Sequence, residues 1–277
     1  MRVSVFMCNG FLCKRYRAHS ADLPSHMKIA VFTGVVILCL ALGAAGVYAQ
    51  GGPPMLTDDP GTPGDGRLEI NLAVTVEKNR GEHLLESPLL DINYGLGDRL
   101  QLKFEVPWLL LKNEGGKTKN GLGNSTLGVK WRFIDREDHG VDISTYPQFE
   151  FNNPTSSARR GLVEDGSEFL LPLEVAGELG PLSVNGELGY AFLSSGEDEL
   201  LFGLALGHEF SERLELMGEI YGTSTTGFDE SEWVFNLGAR FETHQGFTLL
   251  ASGGRSLGGG ASGGSDLLLY LGAQFIF

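Results

Sequence analysis

"YLGAQFIF", residues 270–277, ends the chain. In an extended strand Leu271, Ala273, Phe275 and Phe277 share one side, and Tyr270, Gly272, Gln274 and Ile276 the other, because successive side chains point to opposite faces. Chain ends are ordinarily frayed and polar. An apolar, alternating terminus that stops on phenylalanine therefore needs a partner strand.

The same alternation opens the ordered part of the sequence. In "RLEINLAVTVEK", residues 67–78, Leu68, Ile70, Leu72, Val74 and Val76 fall on one face, and Glu69, Asn71, Thr75 and Glu77 on the other. Period two over five positions excludes a helix. The pattern recurs over residues 88–95, 99–108, 126–133, 141–151, 169–179, 182–192, 200–210, 213–222, 233–242, 246–252 and 266–277. That makes twelve strands of about ten residues, an even number and a length that suits tilted strands crossing a bilayer. Tight links ("GLGD", "LGP", "FSE", "THQ", and the slightly longer "DREDHG") alternate with longer polar stretches such as "NEGGKTKNGLG" and "NPTSSARRGLVEDG". Short turns on one side and long loops on the other predict an all-β chain: a transmembrane, antiparallel, up-and-down β-barrel with both termini periplasmic. The last strand then pairs with the first, since an open edge in hydrocarbon leaves backbone groups unsatisfied.

Aromatic residues give an independent check. On the apolar faces Trp108, Phe149, Phe151, Phe169, Tyr190, Phe192 and Trp233 cluster at the long-loop ends. Tyr94, Trp131, Phe133, Phe210, Phe241, Phe247, Phe275 and Phe277 cluster at the short-turn ends. Two aromatic girdles around an aliphatic band fit rings that prefer the headgroup level. Pro107, Pro147 and Pro172 interrupt strands and predict bulges or bends, because each removes a ladder donor.

Composition agrees. Among 277 residues, 42% are hydrophobic, 20% charged and 40 are glycine, which fits neither a disordered chain nor a helical membrane bundle. Met27 and Lys28 precede an apolar run over residues 29–47, with small residues at Val47 and Ala49. This reads as a secretory signal cleaved after Ala49, with the true start at Met27 and residues 1–49 absent from the mature protein. Leu38 before Cys39 argues against a lipid anchor. Residues 50–66 are a Gly/Pro/Asp-rich periplasmic coil, and residues 67–277 the barrel. Cys8, Cys13 and Cys39 all precede residue 50, so the mature chain has no disulfide, thiol nucleophile or cysteine metal site. Sixteen basic and 34 acidic residues remain, a net charge of −18 that argues against a nucleic-acid partner.

The inward face is the candidate functional surface. The register points Glu69, Asp91, Glu105, Glu150, Glu174, Glu187, Glu215 and Glu219 inward, as it does Glu77, Asp142, Glu178, Glu209 and Glu242. Lys103, Lys130, Arg132 and Arg240 stand against them. A confined excess of carboxylates favours cations, although the same acids can pair with the few bases in a closed interior. Twelve strands fall between a filled eight-stranded barrel and an open sixteen-stranded one. The leading expectation is a channel for small solutes. The alternative is a non-conducting structural or ligand-binding barrel, plugged by side chains, loops or residues 50–66. No catalytic constellation, cofactor fingerprint or metal motif is present. His83, His139 and His244 fall in loops or turns, and His208 suits interfacial packing. "TDDPGTPGDG", residues 57–66, lacks the spacing and final glutamate of a calcium loop. Expected partners are outer-membrane lipids, the barrel assembly machinery and a small solute.

Two segments carry a family resemblance. "PPMLTDDPGTPGDGRLEINLAV", residues 53–74, and "SPLLDINYGLGDRLQLKFEVPW", residues 87–108, resemble the bacterial outer-membrane family named for the MetA pathway of phenol degradation. "GAQFIF" resembles the C-terminal signal that outer-membrane barrels present for assembly, with Phe275 and Phe277 as its aromatic positions. The family resemblance implies an outer-membrane location and transport, and its name implies aromatic solutes. No residue here identifies a phenol site.

Overall fold

The computed structural model describes residues 5–8, 11–14, 52–257 and 264–277. Met27, the apolar run over residues 29–47 and the expected cleavage point after Ala49 lie outside the described residues. Strands β1 (Val5–Cys8) and β2 (Phe11–Lys14) pair with each other in a separate two-stranded sheet.

All other strands form one antiparallel sheet. They are β3 (Leu68–Asn79), β4 (Glu82–Leu96), β5 (Leu100–Asn113), β6 (Lys119–Leu122), β7 (Ser125–Ile134), β8 (Asp142–Thr145), β9 (Gln148–Phe151), β10 (Ser167–Leu179), β11 (Leu182–Leu193), β12 (Glu199–Ser211), β13 (Leu214–Thr225), β14 (Ser231–His244), β15 (Phe247–Ser256) and β16 (Leu267–Ile276). Strands β6 and β7 both pair with β5, and β8 and β9 both pair with β10. Each couple is one interrupted crossing, so the chain crosses twelve times. Short helices α1 (Arg136–His139) and α2 (Thr155–Arg159) sit in connections.

The sheet closes on itself. β16 pairs with β3 from Leu267↔Lys78 to Ile276↔Glu69. Beyond the ladder, Phe277 N donates to Leu68 O at 2.9 Å. The apolar C-terminus is therefore a seam of the barrel, and closure removes the edge that hydrocarbon would not tolerate.

Exposure is the reverse of a soluble protein's. Leu72, Leu171, Leu237 and Leu271 face out at 44–63% exposure, while their neighbours Asn71, Glu174, Glu219 and Asn236 are at most 2% exposed. Alternation produces this directly, because one face meets lipid and the other the interior. Trp108, Phe149, Phe169 and Phe192 are exposed at the long-loop end, and Tyr94, Trp131, Phe210, Phe241 and Phe277 at the other.

The prolines sit where the ladder is already irregular. Tyr146 and Pro147 form the break between β8 and β9, and Pro172 lies opposite that break. Thr145 Oγ1 donates to the Pro172 carbonyl at 2.7 Å. Pro107 pairs with Leu89 at the margin of a register shift between Glu86 and Leu89. Placing prolines at such points spares the ladder the donors they lack.

Candidate functional site: the barrel interior and its lead-in segment

Asp91, Lys103, Glu105, Lys130, Glu150, Glu174, Glu187, Glu219 and Arg240 are buried inside the barrel. Glu69 and Glu215 are half-buried nearer the short-turn end. Arg132 is held at that rim by Asp135, at 2.7 Å, and by the Asp98 carbonyl, at 2.8 Å.

The interior is not empty. The coil that the sequence leaves on the periplasmic side runs inside the barrel from Gly52 to Asp59. Met55, Leu56, Thr57, Asp58 and Asp59 are all 7% exposed or less. Coil carries backbone donors and acceptors that no ladder satisfies, and burial makes each of them costly unless paired. The barrel's charged residues supply the partners. Glu219 accepts from Leu56 N (2.8 and 3.0 Å), Thr57 N (2.8 Å), Thr57 Oγ1 (2.8 Å) and Asn236 Nδ2 (2.8 Å). Glu187 accepts from Asp58 N at 2.9 Å. Arg240 donates to the Gly52 carbonyl at 3.0 Å and to the Pro53 carbonyl at 2.7 Å. Ser252 Oγ donates to the Pro54 carbonyl at 2.8 Å.

Charge continues the match. Lys130 Nζ lies 2.8 Å from Asp58 Oδ1, also donates to the Asp59 carbonyl, and sits 4.5 Å from the centre of the Tyr146 ring. Burial raises the Asp58 carboxyl, but Lys130 and then Lys103 outweigh it and hold the group below its ordinary range. Burial raises the Asp59 carboxyl more than Lys130 lowers it, and the neighbouring Asp58 charge adds to the rise. Lys103 bonds Glu105 at 2.8 Å and faces Asp91 at 3.9 Å. Arg240 reaches Glu215 at 3.5 Å.

The lead-in leaves the interior beside the β4–β5 turn. Thr62 Oγ1 donates to the Asp98 carbonyl at 2.9 Å, and Gly97 N to Asp65 at 2.8 Å. Gly95 is required here, because a Cβ on it would fall 1.9 Å from the Gly64 carbonyl oxygen.

Beyond Thr57 the interior turns apolar. Leu56 packs in a buried cluster with Leu89, Leu170, Leu201, Tyr221, Val234, Leu250, Leu268 and Tyr270. At the long-loop mouth, Leu162 and Val163 of the β9–β10 connection pack on Leu84, Leu109 and Leu111. Between lead-in and wall lies a polar cavity of about 80 Å³, bordered by Asp58, Asp59, Glu69, Asp91, Lys103 and Arg240. That is room for a few waters and too little for a benzene-sized solute.

Alternation located the inward carboxylates. It put Asn93 and Gln101 on the same inward face but missed Tyr146, which shares hydrogen bonds with both inside the barrel; burial of the lead-in entered only as the plugged alternative, not from alternation. A trace of that burial is legible: Met55 and Leu56 are apolar residues within an otherwise polar coil. No group of three or more His, Cys, Asp or Glu side chains able to hold a metal occurs among the described residues.

Comparison with solved structures returns outer-membrane barrels. The COG4313 outer membrane channel from Pseudomonas putida F1 superposes with a TM-score of 0.63 at 15% identity, over 79% of this chain and 98% of that one. The NanC porin gives 0.55 at 8% identity, over 74% and 98%, and the KdgM porin 0.53 at 11%, over 75% and 99%. At these identities the likeness is one of fold. No curated protein matches the chain. A family model described as "Putative MetA-pathway of phenol degradation" matches residues 54–266, and with most of the barrel inside that match the chain belongs to this family.

Proposed function

We propose that the protein is an outer-membrane channel for small solutes, closed in this conformation by its own residues 52–59, with its termini on the periplasmic side. One observation carries the reading: buried charged groups of the wall are satisfied by a segment that is continuous with the chain but belongs to no strand. A barrel with a purely structural role is better filled by apolar side chains, which need no partners. Groups that bind a coil can exchange it for water when the coil withdraws. The names of the relatives, one outer membrane channel and two porins, favour the same reading.

In the open form, Glu69, Asp91, Glu105, Glu150, Glu174, Glu187, Glu215 and Glu219 would face Lys103, Lys130 and Arg240, and the surplus of acids favours cations over anions. The family description supports aromatic solutes. The cavity of about 80 Å³ is too small for them while the lead-in is seated. The role is one of passage, with no catalytic group assigned, and Phe275 and Phe277 serve barrel assembly.

A disulfide lock tests this. Thr57 Cβ lies 3.1 Å from where a Cβ on Gly203 would stand, about half an ångström short of the usual disulfide separation. The chain beyond residue 49 has no other cysteine. Refolded residues 50–277 carrying T57C and G203C are placed in a planar bilayer under a salt gradient. The oxidised form should be silent, and the reduced form should show discrete cation-selective steps. Silence in both forms favours the non-conducting alternative, and anion-selective steps would overturn the charge argument.

A further inference from the structure

The outward face carries a row of cationic side chains that the barrel's own contacts do not explain. Lys78 pairs with His83 across the β3–β4 ladder, and His83 with Lys112 across β4–β5. In the other direction Lys78 pairs with Leu267 of β16. The β15–β16 register, which ends at Gly254↔Leu268, sets Arg255 opposite Leu267. One cross-strand row therefore reads Arg255, Leu267, Lys78, His83, Lys112 over five adjacent strands. All five residues are exposed.

Each is the outermost outward-facing position of its strand at the long-loop end. The next outward row toward the membrane is Gly253, Leu269, Val76, Leu85 and Leu110, with no charge in it. Around the rest of the barrel the equivalent outermost positions of β10, β12 and β14 are Ser167, Leu200 and Ser231. The charge is thus confined to one arc.

Lys78 and Lys112 flank His83 across adjacent ladders and Arg255 stands one strand beyond Leu267, so three fixed positive charges share one row. Lys78, His83, Lys112 and Arg255 make no ion pair or side-chain hydrogen bond among the described residues. Four strand spacings at about 4.8 Å make an arc roughly 19 Å long. Its position at the border of the lipid-facing band selects a membrane headgroup over a soluble anion, because the ligand's acyl chains would lie on the apolar row beneath.

We propose that this arc binds the phosphates of lipid A in the outer leaflet, with Lys78, Lys112 and Arg255 as the principal contacts. The assignment rests on the long loops facing outward, which belongs to the channel reading, but it does not require conduction.

The test is native mass spectrometry of refolded residues 50–277 in detergent, titrated with bisphosphorylated lipid A, fully dephosphorylated lipid A, phosphatidylglycerol or inorganic phosphate. Binding is compared with K78Q/K112Q/R255Q, which alters three exposed side chains and keeps the backbone pairing of the seam at Lys78 and the buried interior. Near an anionic surface each charge is worth about fivefold in affinity, so the triple variant should bind bisphosphorylated lipid A roughly 100-fold more weakly. Dephosphorylated lipid A should bind the parent as weakly as that. Equal binding by parent and variant, or equal binding of phosphatidylglycerol or inorganic phosphate, would overturn the proposal. Lys117→Cys, in the β5–β6 loop, reports orientation separately. Failure to label it from outside intact cells overturns the lipid A assignment and leaves conductance unaffected.

Discussion

The seating of the lead-in depends most on Glu219, and replacing that residue gives the sharpest prediction. Its carboxylate meets three donors of the segment: Leu56 N, Thr57 N and Thr57 Oγ1. In E219L these lose their acceptor in a site from which water is excluded. An orphaned buried donor costs about 1–3 kcal/mol. Seating also strips water from the wild-type carboxylate, which offsets part of the gain. Taking about 1 kcal/mol net for each donor, E219L should weaken seating by about 3 kcal/mol, a shift of roughly 100-fold between seated and withdrawn forms. E219Q keeps a carbonyl acceptor, and about tenfold is expected. The probe is Met55→Cys, since Met55 is 1% exposed while the lead-in is seated and the chain beyond residue 49 has no other thiol. When opening and closing are fast, the rate of maleimide labelling follows the withdrawn fraction, however small that is. In refolded barrels of unchanged circular dichroism, M55C/E219L should label roughly 100-fold faster than M55C. Rates within threefold of each other would refute the view that Glu219 holds the segment.

Gly95→Ala brings a Cβ to 1.9 Å from the Gly64 carbonyl oxygen, so seating of the adjoining residues should weaken by about 1–3 kcal/mol and M55C labelling should rise accordingly. Asp58 should give the seating an acid dependence, read as hydrogen-exchange protection of the Leu56 and Thr57 amides relative to D58N/D59N. In D59N, Asp58 alone remains; its lowered value contributes seating stability above about pH 4 that is lost as pH falls through that value, so protection should drop in acid. Leu271→Arg puts a charge on a residue 63% exposed to lipid; it should cost about 2–4 kcal/mol in unfolding from bilayers and leave M55C labelling unchanged.

The sequence by itself determined the wall. Period-two alternation sorts Leu72 from Asn71 and Leu237 from Asn236, and a bilayer on one side and polar groups on the other enforce that sorting at every position. The strand count, the closure of β16 on β3 and the aromatic belts follow from local pattern plus the rule that no edge survives in hydrocarbon. The placement of Glu174, Glu187 and Glu219 inside the barrel was legible for the same reason. Which of side chains, loops or residues 50–66 fills the barrel was not. Residues 52–59 have no periodicity, and their burial is decided by groups far away in sequence, such as Glu219, 163 residues from Leu56. The apolar cluster around Leu56 was hidden as well: Leu89, Leu170, Leu201 and Leu268 point inward beside outward-facing leucines, so a run such as "LLL" at residues 267–269 shows no alternation to read. The row Arg255, Lys78, His83 and Lys112 is assembled from four strands. Backbone periodicity is a local property, whereas the pairing of a buried coil with carboxylates, or of one strand's lysine with the next strand's histidine, exists only once the barrel has closed and fixed its register.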